Sequence, residues 1–173
     1  MLVPSSLMQS MSTFVAQNVG ADQEKRARMS MLCGMAIGEV IGIFMFCMAL
    51  FAGQPLASIF TSDTAYQLKA AEYLRGYALE ALVTPVLFSF IGFYNGHNKT
   101  FFVMLQGLAQ SFIVRLPMAY IMSRMLPDTL LYVGMSAPSA TVFGIIINVV
   151  YFFYFAKKMT GQKEEWERRL EKL

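Results

Sequence analysis

Residues 29–62 read MSMLCGMAIGEVIGIFMFCMALFAGQPLASIFTS, and Glu39 is the only charged residue among them. A helix needs about 20 consecutive apolar residues to cross the hydrocarbon core of a bilayer, and this run is longer. Gly53 and Pro55 indicate where the helix ends, because both residues disfavour a helix interior. The stretch therefore predicts a transmembrane helix over residues 29–53.

The rest of the chain has the same apolar character. Of its 173 residues, 56% are hydrophobic and only 14% are charged, whereas a soluble domain carries about 25% charged residues. No segment alternates apolar and polar residues as a half-buried strand does. We therefore predict an all-α integral membrane protein, a bundle of four to five transmembrane helices. The predicted spans are about 1–19, 29–53, 76–94, 101–123 and 139–156, with an interfacial helical turn at 63–75, a loop at 124–138, and a charged amphipathic tail at 157–173.

Lysine and arginine residues are distributed unevenly between the connections. With five spans, the connection at 20–28, the turn at 95–100 and the tail share one side, which holds ten of these residues against three on the other. Short cytoplasmic connections are enriched in Lys and Arg. The tail is therefore predicted to be cytoplasmic and the chain to lie in the cell membrane. Apolar residues recur at helical spacing in the tail, which favours an interfacial or solvated helix over a partner-binding motif.

Three ionisable residues fall inside predicted spans, where a charge costs several kcal/mol. Glu39 lies near mid-depth and follows Gly34 and Gly38, a pair of small residues that lets a neighbouring helix approach closely. Glu80 lies nearer the outer interface, and Arg115 lies in the middle of its span. Either glutamate is a candidate for taking up and releasing a coupling ion. The alternative is structural: a glutamate pairs with Arg115 or caps a broken helix.

Several amide side chains also lie within the predicted spans. Gln106 and Gln110 are four residues apart and so share one helix face, and Gln17 and Asn148 lie in other spans. Hydrogen bonds between helices explain such residues; lining a polar substrate path is the alternative. Pro85 and Pro117 predict kinks in their helices.

Other kinds of chemistry find no support in the sequence. The one histidine, His97, lies in a turn, which excludes a histidine cluster for a metal or a catalytic set. Cys33 and Cys47 are separated by about 21 Å along a continuous helix, too far for a disulfide. The basic residues flank the spans and form no nucleic-acid-binding stripe. We expect neither an enzyme nor a bound cofactor.

Three pieces of the chain resemble, in order, parts of the MATE (multidrug and toxic compound extrusion) exporters. Residues 14–21, FVAQNVGA, with the basic stretch that follows, resemble the end of the family's eighth helix. Residues 95–100, NGHNKT, resemble the turn between its tenth and eleventh helices, and residues 114–120, VRLPMAY, resemble the Arg–x–Pro pattern of the eleventh. The residues that carry the match are Gln17, Asn18, Gly20, Ala21, Gly96, Thr100 and Pro117.

The resemblance implies a twelve-helix carrier of two six-helix lobes that exports organic, often cationic, compounds by antiport against Na⁺ or H⁺. This chain resembles only the end of the second lobe. The resemblance therefore implies an N-terminal lobe, or a partner chain, that completes the carrier. It also implies that the chain alone does not transport, as a truncated reading frame or one piece of a split carrier.

One departure from the family concerns coupling. Some members carry a coupling aspartate in the tenth helix, and alignment on the turn ending at Thr100 places that position at Thr84 or Pro85. Glu80, about one turn earlier, is the substitute in this lobe, and coupling through the missing lobe is the alternative. Two other functions remain open: a lipid-linked polysaccharide flippase of the same superfamily, and a non-transporting membrane scaffold subunit.

Overall fold

The computed structural model describes residues 2–125 and 130–170, with side chains from 3 to 125, from 130 to 155 and at Lys157. These residues form helices joined by short turns, and no strand occurs among them. The amphipathic character predicted for the tail rests on side chains outside the described set. The helices are α1 (Leu2–Gly20), α2 (Glu24–Phe51), α3 (Gly53–Ser58), α4 (Thr64–Tyr77), α5 (Glu80–Gly96), α6 (Thr100–Ala109), a π-helical segment (Gln110–Arg115), α7 (Leu116–Met125), α8 (Leu131–Gly134) and α9 (Ser136–Leu170).

Three stretches of helix are long and apolar enough to cross a membrane: Glu24–Phe51, Thr100–Met125 and Leu131–Phe155. The pair α4 and α5, bent by 44°, makes a fourth if it is counted as one span. The all-α membrane fold predicted from the sequence is thereby confirmed. Helix α1 (Leu2–Gly20) lies at the first predicted span, but it is not among these candidates, because polar side chains lower its hydropathy.

Two boundaries differ from the prediction. Helix α2 begins at Glu24 rather than at residue 29, since charged residues are good helix formers and an acidic first turn suits the helix dipole. Residues 131–138, predicted as a loop, are largely helical. Pro138 lies in the first turn of α9, where its missing N–H would have had no helical partner.

Pro117 was predicted to kink its helix, and the helix is altered there by a π-helical segment that precedes the proline. The residue lacks the N–H that would bond to the carbonyl of Ile113, and its ring crowds that carbonyl. Immediately before it, residues Gln110–Arg115 adopt the wider π-helical turn. Helix α5, in contrast, continues through Pro85.

Helix α5 is the centre of the bundle, and glycines bring its neighbours close. A Cβ on Gly42 of α2 would fall against the carbonyl oxygen of Ala81, and one on Gly38 would lie 2.9 Å from Cβ of Pro85. On the other side, a Cβ on Gly96 would fall against Val15 of α1. Gly38 thus performs the close approach predicted for the small-residue pair. The core between these helices is formed by Met11, Val15, Ala27, Met31, Phe90, Phe93 and Tyr94.

His97, which follows α5 directly, connects the end of α5 to the start of α2. Its Nε2 lies 3.0 Å from Oε2 of Glu24 at the start of α2, and its Nδ1 lies 2.9 Å from the carbonyl oxygen of Phe93. The ring is almost fully buried and packs against Phe93 and Phe155 at centroid distances of 4.2 and 5.3 Å. The other carboxylate oxygen of Glu24 pairs with Arg28 at 3.2 Å. The turn at 95–100 is therefore fastened to the connection at 20–28.

Candidate functional site

An apolar cleft opens between the beginning of α1, the middle of α2 and the beginning of α5. Its volume is about 310 Å³, at the lower end of the range for small-molecule sites. The walls are aliphatic and thioether side chains, including Leu7, Ile41 and Met45. Polar groups enter only from one end, where Tyr77, Glu80 and Thr84 line the cleft. The cleft therefore suits a ligand with an apolar body and one polar or charged group.

Glu80 is the buried acidic group of this cleft. It is the first residue of α5, directly after the bend that separates α4 from α5, and it is 5% exposed. The hydroxyl of Thr141 in α9 donates a hydrogen bond of 2.9 Å to its Oε1. Its Oε2 is buried and has no hydrogen-bond partner among the described residues. Thr84 lies one turn along; its Oγ1 is buried and its hydroxyl acts on the carboxylate of Glu80. The Oε2 atom of Glu80 is thus the position at which a proton, a cation or a ligand donor can bind.

A chain of hydrogen bonds leads from Glu80 to α6. Nε2 of Gln110 donates to Oγ1 of Thr141 at 3.3 Å, and Nε2 of Gln106 donates to Oε1 of Gln110 at 2.7 Å. Every donor in the chain points towards Glu80, an arrangement in which successive bonds polarise one another. The structure therefore brings together Glu80 of one predicted span with Gln106 and Gln110 of another.

The backbone explains how the two glutamines reach α9. Gln110 is the first residue of the π-helical segment, and a single π-helical turn often occurs at a functional site. In α9, a Cβ on Gly144 would lie 2.5 Å from Oε1 of Gln110 and 2.7 Å from Nε2 of Gln106. Only glycine leaves room there for both amide groups.

The other candidate residues take no part in this series of hydrogen bonds. Glu39 is half-buried, does not line the cleft and makes no hydrogen bond to the described residues. Gln17 is exposed on α1. Asn148 is fully buried in α9, where its Nδ2 donates to the backbone carbonyl of Gly144 at 2.7 Å. The backbone carbonyl of Asn148 accepts from the hydroxyl of Tyr94 at 2.6 Å.

Arg115 is exposed at the end of the π-helical segment. Within the described residues it forms no ion pair of 4.0 Å or less, although its charge acts on Glu80. Within the described residues, Arg115 therefore does not pair directly with a buried glutamate, which was the structural alternative for this residue. Its guanidinium provides a background potential at the site instead.

The family-motif residues occupy structural positions. The side chain of Asn18 is buried near the end of α1 and donates to the carbonyl of Phe14 at 2.7 Å. Gly96 permits the contact between α1 and α5, and Thr100 begins α6. Gly20 ends α1 and Ala21 lies in the turn that follows, and a Cβ on Gly20 would meet nothing within 4 Å. Pro117 follows the π-helical segment.

Sequence reasoning missed Thr141 and Gly144. Together with Asn148 they recur at spacings of three and four residues, which places them on one face of α9. That spacing of small and polar residues was the available signal. No group of three or more His, Cys, Asp or Glu residues suited to a metal ion occurs within the part of the chain that the structure describes.

A helical bundle with an apolar exterior and a polar chain buried between its helices places the protein in the class of integral membrane proteins. The sequence model of the MatE family matches residues 1–121. The chain therefore belongs to the MatE family, as the resemblance indicated.

One curated relative agrees with this assignment. The FAD transporter of Shewanella oneidensis is 27% identical over 126 residues, which cover 69% of this chain and 26% of the relative. The chain thus spans about a quarter of the length of that relative. No solved structure matches the chain. Family and relative both indicate a transporter rather than an enzyme.

Proposed function

We propose that this chain is part of the C-terminal lobe of a cation-coupled antiporter, which exports organic, often cationic, compounds against Na⁺ or H⁺. The observation that carries the proposal is the carboxylate of Glu80 at the end of the apolar cleft, with one oxygen held by Thr141 and the other unpartnered. The free oxygen is where a proton, a sodium ion or the positive group of a ligand would bind.

In a carrier that opens its site to one side of the membrane at a time, competition for one carboxylate couples export of the compound to entry of the ion. An organic cation places its apolar body against the walls formed by α1 and α2 and its charge near Glu80. A proton or Na⁺ bound at the same oxygen removes that attraction and favours release. Because each ligand lowers the affinity for the other, the gradient of the ion performs work on the compound, as reciprocal coupling requires.

We propose that the remaining partners are the bilayer and a further lobe. Large apolar side chains cover the outer faces of α2, α6 and the π-helical segment, including Val40, Phe44, Leu105 and Ile113, which suits lipid or another helical bundle. An N-terminal lobe or a partner chain would close the cleft, and the 173 residues would be inactive without it.

The cargo of the relative suggests a second candidate substrate. FAD is an anionic dinucleotide, whereas the polar end of the cleft contains the carboxylate of Glu80, which repels an anion and attracts a cation. We therefore favour a compact organic cation. A polysaccharide flippase would need a binding surface for a lipid-linked sugar, and a scaffold subunit would need no buried carboxylate.

The test compares the complete reading frame, cloned with its upstream sequence, with the 173-residue chain. Both are reconstituted in liposomes, and transport of ethidium or FAD is followed under an imposed Na⁺ or H⁺ gradient. We expect the complete protein to move ethidium when either gradient is applied, and the short chain to match empty liposomes.

Transport of ethidium by the short chain would refute the need for a second lobe. Movement of FAD alone would refute the cationic substrate class, and transport indifferent to both gradients would refute antiport. An upstream region without further apolar spans, together with no activity in any condition, would leave the scaffold as the better account.

We also propose that the C-terminus is cytoplasmic in the cell membrane, on the basis of the Lys and Arg distribution. A green fluorescent protein fused after Leu173 should fluoresce, whereas alkaline phosphatase fused at the same place should be inactive. As a control, the same reporters inserted after Asp63, between α3 and α4, should give the opposite result. An active phosphatase at the C-terminus would reverse the orientation.

A further inference from the structure

The polar chain passes through the one stretch of the described structure where the helix changes its hydrogen-bonding pattern. Gln110 is both the link between Gln106 and Thr141 and the first residue of the π-helical segment. A single-turn π-helical segment is a local departure from the α-helix, so its geometry can respond to a side chain that holds it. The chain therefore joins the carboxylate of Glu80 to an adaptable piece of backbone.

The chemistry of each link fixes how a change at Glu80 is felt. An ionised carboxylate only accepts hydrogen bonds, so Thr141 uses its single hydroxyl hydrogen for Glu80 and must accept from Gln110. Gln110, by donating its amide hydrogen, presents its Oε1 to Gln106. The position of Gln110 is thus set by the state of Glu80, through Thr141.

Occupancy of the free oxygen weakens this arrangement. A proton or Na⁺ on Oε2 neutralises the carboxylate, and the bond from Thr141 loses charge assistance, which makes a hydrogen bond roughly twice as strong. The Thr141 hydroxyl then holds Glu80 less firmly, and Gln110 is held less firmly by Thr141. The titratable groups that interact electrostatically with Glu80, among the described residues, are Arg115 at the end of the same π-helical segment and Tyr77 at the end of α4.

We propose that Thr141 and Gln110 are positioning residues that transmit the occupancy of Glu80 to the π-helical segment Gln110–Arg115. The proposal rests on the proposed role of Glu80 and adds to it the path by which the bound ion alters the shape of a neighbouring span. Gly144 also contributes, because the absence of a side chain at this position leaves room for both glutamines to lie against α9.

The experiment measures backbone hydrogen exchange in the 173-residue chain, in lipid nanodiscs, for peptides that cover residues 110–117. Glu80→Gln removes the charge and is compared with Glu80 in three backgrounds: unchanged, Thr141→Val and Ser139→Ala. Ser139 serves as the matched control, because among the described residues its hydroxyl bonds only to the carbonyl of Met135, which directly precedes α9. Gln110→Met is a second way to cut the chain if Thr141→Val loses helicity.

We expect Glu80→Gln to change exchange in these peptides about threefold or more in the unchanged and Ser139→Ala backgrounds, as expected for directly coupled sites. The change should disappear in Thr141→Val and in Gln110→Met, and return in Thr141→Ser, which restores the hydroxyl. A merely structural role of Thr141 would alter exchange without abolishing the response to Glu80.

An equal response in the Thr141→Val and unchanged backgrounds, or no response in either, would overturn the relay. Because exchange is measured without transport, the two proposals fail separately. Intact coupling in the exchange experiment with ion-driven transport that ignores Glu80 would contradict only the proposed function.

Discussion

Glu80→Gln in the complete carrier is expected to reduce ion-driven efflux on the order of a hundredfold, at the upper end of ordinary coupling energies. Glutamine has nearly the same shape and keeps an oxygen that can accept from Thr141, so the helices should pack as before. It carries no charge and binds no exchangeable proton. The coupling ion and the cationic ligand therefore lose the group for which they compete.

The measurement is efflux of ethidium from proteoliposomes under an imposed Na⁺ or H⁺ gradient, with protein amounts matched. Glu39→Gln is the matched control, because Glu39 is also a glutamate inside a span but lies away from the cleft and makes no hydrogen bond to the described residues. We expect the control to keep efflux within about twofold, as for a residue outside the coupled site. Full gradient-driven efflux by Glu80→Gln would place coupling in another part of the carrier.

The spans could be predicted because the bilayer imposes a simple rule: long uncharged stretches become helices whose backbone groups bond internally. The rule fixes lengths but not ends. The charged residues before Met29 form the start of α2, since charge does not oppose helix formation, and Pro138 lies in the first turn of α9 rather than preceding the helix. A composition pattern cannot distinguish a proline that breaks a helix from one tolerated in its first turn.

The polar residues of the site were predictable in kind but not in arrangement. Glu80, Gln106 and Gln110 are recognisable because polar groups are costly in lipid. Thr141 is not, because a threonine is ordinary in a membrane helix, and its bond to Glu80 joins residues 61 positions apart. The role of Gly144 depends on where two amide groups fall after α6 and α9 pack, which no local pattern contains.

His97 is a further residue whose contacts could not be predicted from the sequence. A single histidine in a turn was read only as evidence against a metal site. In the structure it is buried, with its two ring nitrogens within 3.0 Å of two acceptors, the carboxylate of Glu24 and the carbonyl of Phe93. Glu24 is 73 positions away, so the pairing could not be read from the sequence.

His97→Leu is expected to lower the free energy of unfolding by about 1–2 kcal/mol, the lower end of the cost of leaving buried polar groups without a hydrogen-bond partner. The lower end applies because the carboxylate of Glu24 is 24% exposed and water can partly replace its partner. Leucine retains much of the packing against Phe93 and Phe155, so the loss reports mainly on the two hydrogen bonds. Against a typical total of 5–15 kcal/mol, this change is large.

A double-mutant cycle of His97→Leu and Glu24→Leu, measured by denaturation in detergent micelles, separates the pair from its surroundings. If the pair fastens the turn at 95–100 to the start of α2, the double variant should be more stable than the sum of the single losses allows, by about 1–2 kcal/mol. Lys25→Leu, at an exposed neighbouring position, should change stability by no more than about 0.5 kcal/mol. Strictly additive losses would show that the contact between His97 and Glu24 contributes nothing to stability. The end of α5 and the start of α2 would then be held together by apolar packing alone.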